Sequence, residues 1–184
     1  KSLNFFKNVN TSVIEGSTKN TKIINIEVKE KPTGEITAGA GFGTSGSSIA
    51  VGISENNYLG KGIRLDANLT LREESIKGLF SVNNPNFRNS DKSLYTAIQS
   101  SELNRLSDFG YKSNKTGFKF GTKFEYLKNL ELGLGLSSFY EKIETDSTAS
   151  ARQKKQKGDY FDTYLNLKFD YDKRNQKFKP DDGF

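Results

Sequence analysis

From Glu35 onward the polarity of the side chains alternates residue by residue, and few features restrict a fold more. Successive side chains on a strand point to opposite faces, whereas a helix repeats about every 3.6 residues. Ile36, Ala38, Ala40 and Phe42 alternate with Glu35, Thr37, Gly39, Gly41 and Gly43. Ile49, Val51 and Ile53 alternate with Ala50, Gly52 and Ser54. Ile63, Leu65, Ala67, Leu69 and Leu71 alternate with Arg64, Asp66, Asn68, Thr70 and Arg72. Ile76, Phe80 and Val82 follow, with Gly78 on their face, and Leu94, Thr96 and Ile98 make a weaker run blurred by Tyr95 and Ala97. Phe118, Phe120, Phe124 and Tyr126 oppose Lys119, Gly121, Lys123 and Glu125, while Leu130, Leu132, Leu134 and Leu136 oppose Glu131, Gly133, Gly135 and Ser137. Phe161, Leu165, Leu167, Phe169 and Tyr171 face away from Asp162, Tyr164, Asn166, Lys168 and Asp170. These runs predict eight strands.

The first 33 residues read differently. Leu3, Phe5 and Phe6 within Lys1–Lys7 predict the last turn of a helix that begins upstream. Two strands are expected near Val9–Ile14 and Lys22–Glu30, with turn chemistry at Glu15-Gly16-Ser17 and Asn20. Ile24, Ile26 and Val28 form one apolar face of the second strand. Lys31-Pro32-Thr33-Gly34 makes a natural boundary, so residues 1–33 read as the end of an α+β module and residues 34–184 as a separate β unit.

Alternation suits two settings. A soluble sandwich turns its apolar face to a core, and a membrane barrel turns it to lipid with the polar face lining a lumen. The second is favoured. The polar faces carry glycine and full charges. Tyr58, Phe87, Tyr126, Tyr140, Tyr160 and Tyr171 gather near strand ends, as interface girdles do. The polar stretches Ser101–Thr116 and Glu144–Asp159 read as long loops at the end opposite Lys31–Gly34, although Asn84–Lys92 and Arg174–Gly183 are longer than the short turns expected at the other end. A mean hydropathy of −0.69 is compatible with this reading, because a barrel strand needs only about 9–11 residues with every second one apolar.

Several chemistries are excluded. With neither cysteine nor histidine, the chain cannot by itself build a zinc site or a Ser–His–Asp or Cys–His triad. Net charge is +6, from 28 basic and 22 acidic residues, but the bases are interspersed with acids. The one dense cluster, Arg152, Lys154, Lys155 and Lys157, reads as a solvated loop, and no nucleic-acid partner is expected. Gly41-x-Gly43-x-x-Gly46 matches a dinucleotide fingerprint, yet that motif needs a helix behind it and a strand pattern follows. Gly60-Lys61 lacks the spacing of a P-loop, and Asp170, Asp172, Asp181 and Asp182 lack that of a calcium loop. No cofactor or metal is expected, and an enzyme is the least favoured class.

Four segments together resemble a known family. Phe5-Phe6-Lys7-Asn8-Val9, Val28-Lys29-Glu30-Lys31-Pro32-Thr33-Gly34 and Gly39-Ala40-Gly41-Phe42-Gly43-Thr44 resemble the junction of POTRA module and barrel in BamA-type outer-membrane assembly factors. Asn57-Tyr58-Leu59-Gly60-Lys61-Gly62 resembles the family's turn after its second barrel strand, and Asn84-Pro85-Asn86-Phe87 its turn after the fourth. Asp172-x-Arg174, then Pro180-Asp181-Asp182-Gly183, resembles the segment after the eighth. The resemblance implies a mainly β fold: the N-terminal half, about eight antiparallel strands, of a transmembrane barrel of about sixteen, preceded by the C-terminal remnant of a POTRA module. It implies further POTRA modules before Lys1 and a Val-Arg-Gly-Phe/Tyr loop after Phe184, so the chain is expected to be truncated at both ends.

The resemblance also implies what the parts do. The first barrel strand, here Ile36, Thr37, Ala38, Gly39, Ala40, Gly41, Phe42 and Gly43, would pair weakly with the last and open sideways as a gate. Its free edge would template an incoming client strand by β-augmentation. Glycine within a strand weakens pairing, although the same glycines could instead relieve crowding inside a curved barrel. Ile24, Ile26 and Val28 mark a POTRA strand whose edge could bind extended chains, or which is an ordinary internal strand. Asp172 and Arg174 share strand parity and are expected to pair inside the lumen. Implied partners are nascent outer-membrane proteins, accessory assembly lipoproteins and outer-membrane lipid, with the POTRA part in the periplasm. Competing readings are a related POTRA–barrel protein that translocates substrates, such as a two-partner secretion pore, and a soluble β-rich binding protein.

Overall fold

A computed structural model describes residues 5–18, 20–43, 46–175 and 181–183. Two sheets are present. The first is an antiparallel hairpin of β1 (Phe6–Glu15) and β2 (Lys22–Glu30). Its register puts Val13 opposite Ile24, Thr11 opposite Ile26 and Val9 opposite Val28. Phe6 and Lys7 therefore open a strand, which corrects the helical reading of Lys1–Lys7; Lys1–Asn4 lie outside the described residues. The two phenylalanines that suggested an amphipathic turn instead begin the hairpin, whose base is closed by the Lys31 N–H donating to the Phe5 carbonyl at 3.1 Å.

The second sheet holds eight strands, all antiparallel and each paired with its sequence neighbour. They are β3 (Gly34–Gly43), β4 (Gly46–Tyr58), β5 (Ile63–Arg72), β6 (Ser75–Asn84), β7 (Ser93–Arg105), β8 (Tyr111–Leu127), β9 (Leu130–Thr145) and β10 (Gly158–Tyr171). Every run of alternation lies in one of them. The outer strands β3 and β10 are not paired to each other, so the sheet is open.

The register joins the apolar positions of neighbouring strands into rows. Ile36, Ile53, Ala67, Phe80, Ile98 and Phe118 lie side by side across β3–β8, and Phe120, Leu136 and Leu165 across β8–β10. No second layer covers this face: Phe42 is 91% exposed, Ile36 77% and Leu165 73%. Buried hydrophobic residues among those described are limited to Ala97, Phe139 and Ala149. A soluble sandwich would bury the face that is bare here, and a continuous apolar surface of this extent marks contact with a membrane or another protein. On β9 the outward apolar row runs from Leu130 to Tyr140 before Lys142 and Glu144 take over, a height of roughly 25 Å for a tilted strand.

The strands differ in length in a way that periodicity did not show. β3, β5 and β6 have 10 residues each, but β8 has 17 and β9 has 16. The stretch expected as a long loop, Ser101–Thr116, is mostly strand. Its actual connection is Leu106–Gly110, where a four-residue helix α1 (Leu106–Phe109) ends on Gly110 in the left-handed region. The other connection, 146–157, carries α2 (Ala151–Lys155), which Ser150 and Gln153 cap reciprocally. Arg152, Lys154 and Lys155 lie on this short helix, and Lys157 lies just beyond it. Asymmetry between the two ends of the sheet thus resides chiefly in strands that run past the apolar band.

Candidate functional site

The site begins with β3. Ten of its residues pair with β4, from Gly34 opposite Glu55 to Gly43 opposite Gly46, while its other edge has no partner strand among the described residues. Ile36, Ala38, Ala40 and Phe42 point to the apolar face, and Thr37, Gly39, Gly41 and Gly43 to the polar face. A Cβ built on Gly39 or Gly43 would meet nothing within 4 Å, and one on Gly41 would meet only the Ser48 hydroxyl, at 3.2 Å. Neighbouring Gly52 on β4 is different, because a Cβ there would lie 2.6 Å from the Thr37 hydroxyl and 2.7 Å from the Asn68 amide oxygen. Packing among the described residues therefore accounts for the glycine of β4 and does not involve Gly39 or Gly43. What these two do is lower the intrinsic strand preference and leave backbone bare at an edge.

The N-terminal end of β3 is held in place. The Thr33 hydroxyl donates to the Glu55 carboxylate, and the same carboxylate accepts from the Asn57 N–H at 2.7 Å. The Asn56 side-chain amide donates to the Thr33 carbonyl at 3.2 Å. Asn57 then organises the following turn: its side-chain oxygen accepts from the Gly62 N–H at 2.7 Å, and its carbonyl from the Gly60 N–H at 2.9 Å. Gly60 and Gly62 both have positive φ, at 70° and 66°. The glycines of the Asn57–Gly62 motif thus have a physical cause. Against this turn lies Phe5, whose ring comes within 3.7 Å of where a Cβ of Gly62 would stand. One end of β3 is tied to the hairpin and the β4–β5 turn, and at the glycine-bearing end the Ser48 hydroxyl donates to the Gly41 carbonyl at 3.5 Å.

The polar face carries paired charges. Arg64 meets Asp66 at 2.8 Å, Lys115 meets Glu141 at 2.9 Å, and Lys123 contacts Glu131 and Asp170. Among them stands Phe139, 7% exposed, opposite Gly117. Its ring lies under the Lys115 ammonium at 5.4 Å and that of Lys119 at 5.9 Å, with Tyr164 at 6.4 Å. The sequence offered one faint signal for this aromatic: Phe139 breaks the parity of the leucines before it while a glycine occupies the facing position.

The other expected residues fall in three places. Ile24, Ile26 and Val28 form an exposed face of the hairpin, and β2 pairs with β1 alone among the described residues. Asp172 and Arg174 do pair, through two bonds of 2.8 and 2.6 Å. They do so past the end of β10, in the turn that follows it, and not on the strand itself. The hydrogen bonds to the Asp172 carboxylate, and then its charge, raise the affinity of the Arg174 guanidinium for its proton. Gly46 opens β4 instead of a helix, so the dinucleotide fingerprint is coincidental. Thr44 and Pro180 of the resembling segments lie outside the described residues. The Tyr girdle divides between the ends of the sheet, with Tyr58, Tyr126 and Tyr171 at one and Tyr140 at the other. Tyr160 sits on the polar parity and donates to the Gln156 carbonyl at 2.9 Å, which ties down α2.

Comparison with known proteins gives a consistent result. Residues 57–184 match the model of the Omp85 superfamily domain. The fold is similar to the crystal structure of BamA from Haemophilus ducreyi lacking POTRA domains 1–3, with a TM-score of 0.69 and 25% identity. The match covers 98% of this chain and 38% of that one. The chain thus spans well under half the length of the structure it resembles.

Proposed function

The chain belongs to the Omp85 superfamily, and from that premise we propose that it works in the assembly of outer-membrane β-barrel proteins, with β3 as a templating gate. In this reading residues 34–184 are the first eight strands of the barrel and residues 1–33 the end of the last POTRA module, placed in the periplasm. Barrel strands β3–β10 lie in the outer membrane with the apolar face toward lipid. The clients are nascent outer-membrane proteins, and accessory assembly lipoproteins dock on the periplasmic side. The edge of β2 that has no partner strand among the described residues, beside Ile24, Ile26 and Val28, is offered to extended chains there, and the Asp172–Arg174 pair sits at the periplasmic mouth of the lumen, in the turn after β10.

The observation that carries the proposal is the contrast along β3. Its start is anchored by Thr33, Glu55 and Asn56, while a Cβ on Gly39 or Gly43 would meet none of the described atoms within 4 Å. An edge strand is ordinarily a hazard, to be covered or charged. A strand anchored by side chains at one end and rich in glycine at the other is suited to exchanging partners. Backbone N–H and C=O groups would bind the client, so sequence specificity would be low and no bond-making chemistry is required.

The test uses the absence of cysteine from residues 1–184, with any cysteine elsewhere in the full-length protein replaced by serine. Single cysteines at Ala38, Ala40 and Phe42 should form disulfides with cysteines in a client's terminal strand during assembly, in a register that steps by two residues. Cysteines at Thr70 and Gln99 on the polar face should not. Crosslinks from Thr70 and Gln99 with none from β3 would instead show substrate passing through the lumen, and the gate would have to be abandoned.

A further inference from the structure

On the polar face, Gly117 and Phe139 show how this sheet fills the space above a glycine. The two residues face each other across β8 and β9, and the ring lies against the glycine, 7% exposed. The ammoniums of Lys115 and Lys119 stand over the ring at 5.4 and 5.9 Å. Glycine, ring and cation form one unit: the ring covers bare backbone, and its electron-rich face meets positive charge.

The same parts, without the ring, occur beside the open edge of β3. A depression of about 350 Å³ lies among Gly41, Gly43, Gly46, Ser48 and Arg72. Gly41 pairs with Ser48, Ser48 with Arg72, and Gly43 with Gly46, which puts all of them on the polar face. Cover from the β4 side is slight, because a Cβ on Gly41 would meet only the Ser48 hydroxyl and Gly43 faces another glycine. The remaining side is the edge of β3 that has no partner strand among the described residues. Arg72 ends β5 level with Gly41, and no carboxylate among the described residues is paired with it. Glu73 lies against Gly46 at the rim, so the depression carries both signs of charge and does not select an ion. A neutral ring suits it, since a guanidinium stacks on an aromatic face.

We infer that Arg72 is a specificity-determining residue for the strand that adds to β3: it favours an aromatic side chain on that strand's lumen-facing side, seated over Gly41 and Gly43. The inference rests on the gate reading of β3 and names what the gate selects in a client. The preference is modest, in keeping with a site that binds mainly through backbone groups.

The test is a competition between clients for one disulfide. The full-length protein carries Ala38→Cys, with any other cysteine replaced by serine. Each client carries one cysteine in its terminal strand, at the position that pairs with residue 38. Antiparallel pairing then puts the client residue three positions N-terminal to that cysteine opposite Gly41, and only this residue differs between clients. Equimolar tyrosine and leucine clients compete in the same sample, and the ratio of their disulfide yields is read, so any loss of folded protein cancels. The tyrosine client should win by about threefold. Arg72→Gln should bring the ratio to about one, and Arg72→Lys should keep most of it, because the cation is preserved. Equal yields in the parent would overturn the inference and leave the gate intact. No disulfide with any client would overturn the gate, and the inference with it. A tyrosine preference that survives Arg72→Gln would remove Arg72 from the selection. An aspartate client that outcompetes tyrosine would make Arg72 an anion site and overturn the seated ring.

Discussion

The glycines of this chain have unlike roles, and the differences are measurable. A methyl group on Gly117 would collide with the Phe139 ring and with the Ser138 backbone carbonyl, neither of which can swing away. Gly117→Ala should therefore cost about 1–3 kcal/mol in urea titrations in vesicles, by overpacking. In a Phe139→Ala background the cost should fall but not vanish, because the Ser138 carbonyl still opposes the methyl group; equal costs in both backgrounds would remove the ring as a cause. Gly39→Ala is the opposite case, because nothing opposes its Cβ and alanine loses less conformational freedom in a strand. It should stabilise the fold by about 0.5–1 kcal/mol. Under the gate proposal it should also slow client assembly, so stability and activity move in opposite directions. Activity that is unchanged or rises with stability would remove Gly39 from the mechanism. Gly117 and Gly39 both stood on polar faces in the sequence, and nothing local distinguished them. Only the surroundings separate them: the Phe139 ring on the facing strand in one case, and no described atom within 4 Å of the Cβ in the other.

At the scale of elements, strand identity was readable and strand length was not. Alternation reveals a strand only where its two faces meet different media. Within the apolar band every strand shows it. Beyond the band, β7–β9 carry Glu102, Asn104, Lys112, Asn114, Lys142 and Glu144 on the outward face, and the inward face mixes Ser101, Arg105, Ser113, Lys115 and Glu141 with Leu103, Tyr111 and Ile143. Both faces then meet water, the period disappears, and Ser101–Thr116 looks like a loop. The hairpin was legible as strands, but its start was not, since two adjacent phenylalanines fit either a helix or a ribbon. The turns were legible through chemistry: Asn57→Ala should cost about 1 kcal/mol by orphaning the Gly62 N–H, and Asn57→Asp should retain most of it. The connection around Asp146 adds a pH dependence. Its carboxylate accepts from the Thr148 hydroxyl at 2.6 Å and the Thr148 N–H at 2.7 Å, and these bonds hold its pKa below the ordinary 3.8. A depressed folded pKa means the stabilising effect is complete above the unfolded value and is lost as pH falls through the folded one. Amide exchange at Thr148 should thus rise, beyond its intrinsic pH trend, as pH falls below about 3.8. Asp146→Asn should abolish the extra rise; an unaltered profile in that variant would remove Asp146 as the cause.

For the whole molecule, the governing fact is a single-layer sheet with one bare apolar face and almost no protein core. Its stability must come from a surrounding apolar medium, and that dependence has a depth profile. A lysine on the lipid face costs about 2–4 kcal/mol at the bilayer midplane and about 0–1 near the interface. Leu134 lies midway along the outward row of β9, and Tyr140 lies at its rim, one step before Lys142. Both are partly exposed to a similar degree in the isolated sheet. If exposure alone set the cost, Leu134→Lys and Tyr140→Lys would be alike. If the band spans a bilayer, Leu134→Lys should lose about 2–4 kcal/mol and Tyr140→Lys at most about 1. Gln99→Lys on the polar face should be tolerated, because its ammonium would enter water. Urea titrations in vesicles of matched thickness read all three variants against the parent. The ordering Leu134→Lys far above Tyr140→Lys and Gln99→Lys would place the band in the membrane at the depth its residues imply. A large cost at Gln99→Lys together with a small one at Leu134→Lys would invert the two faces, and the assignment of lipid and lumen would have to be exchanged.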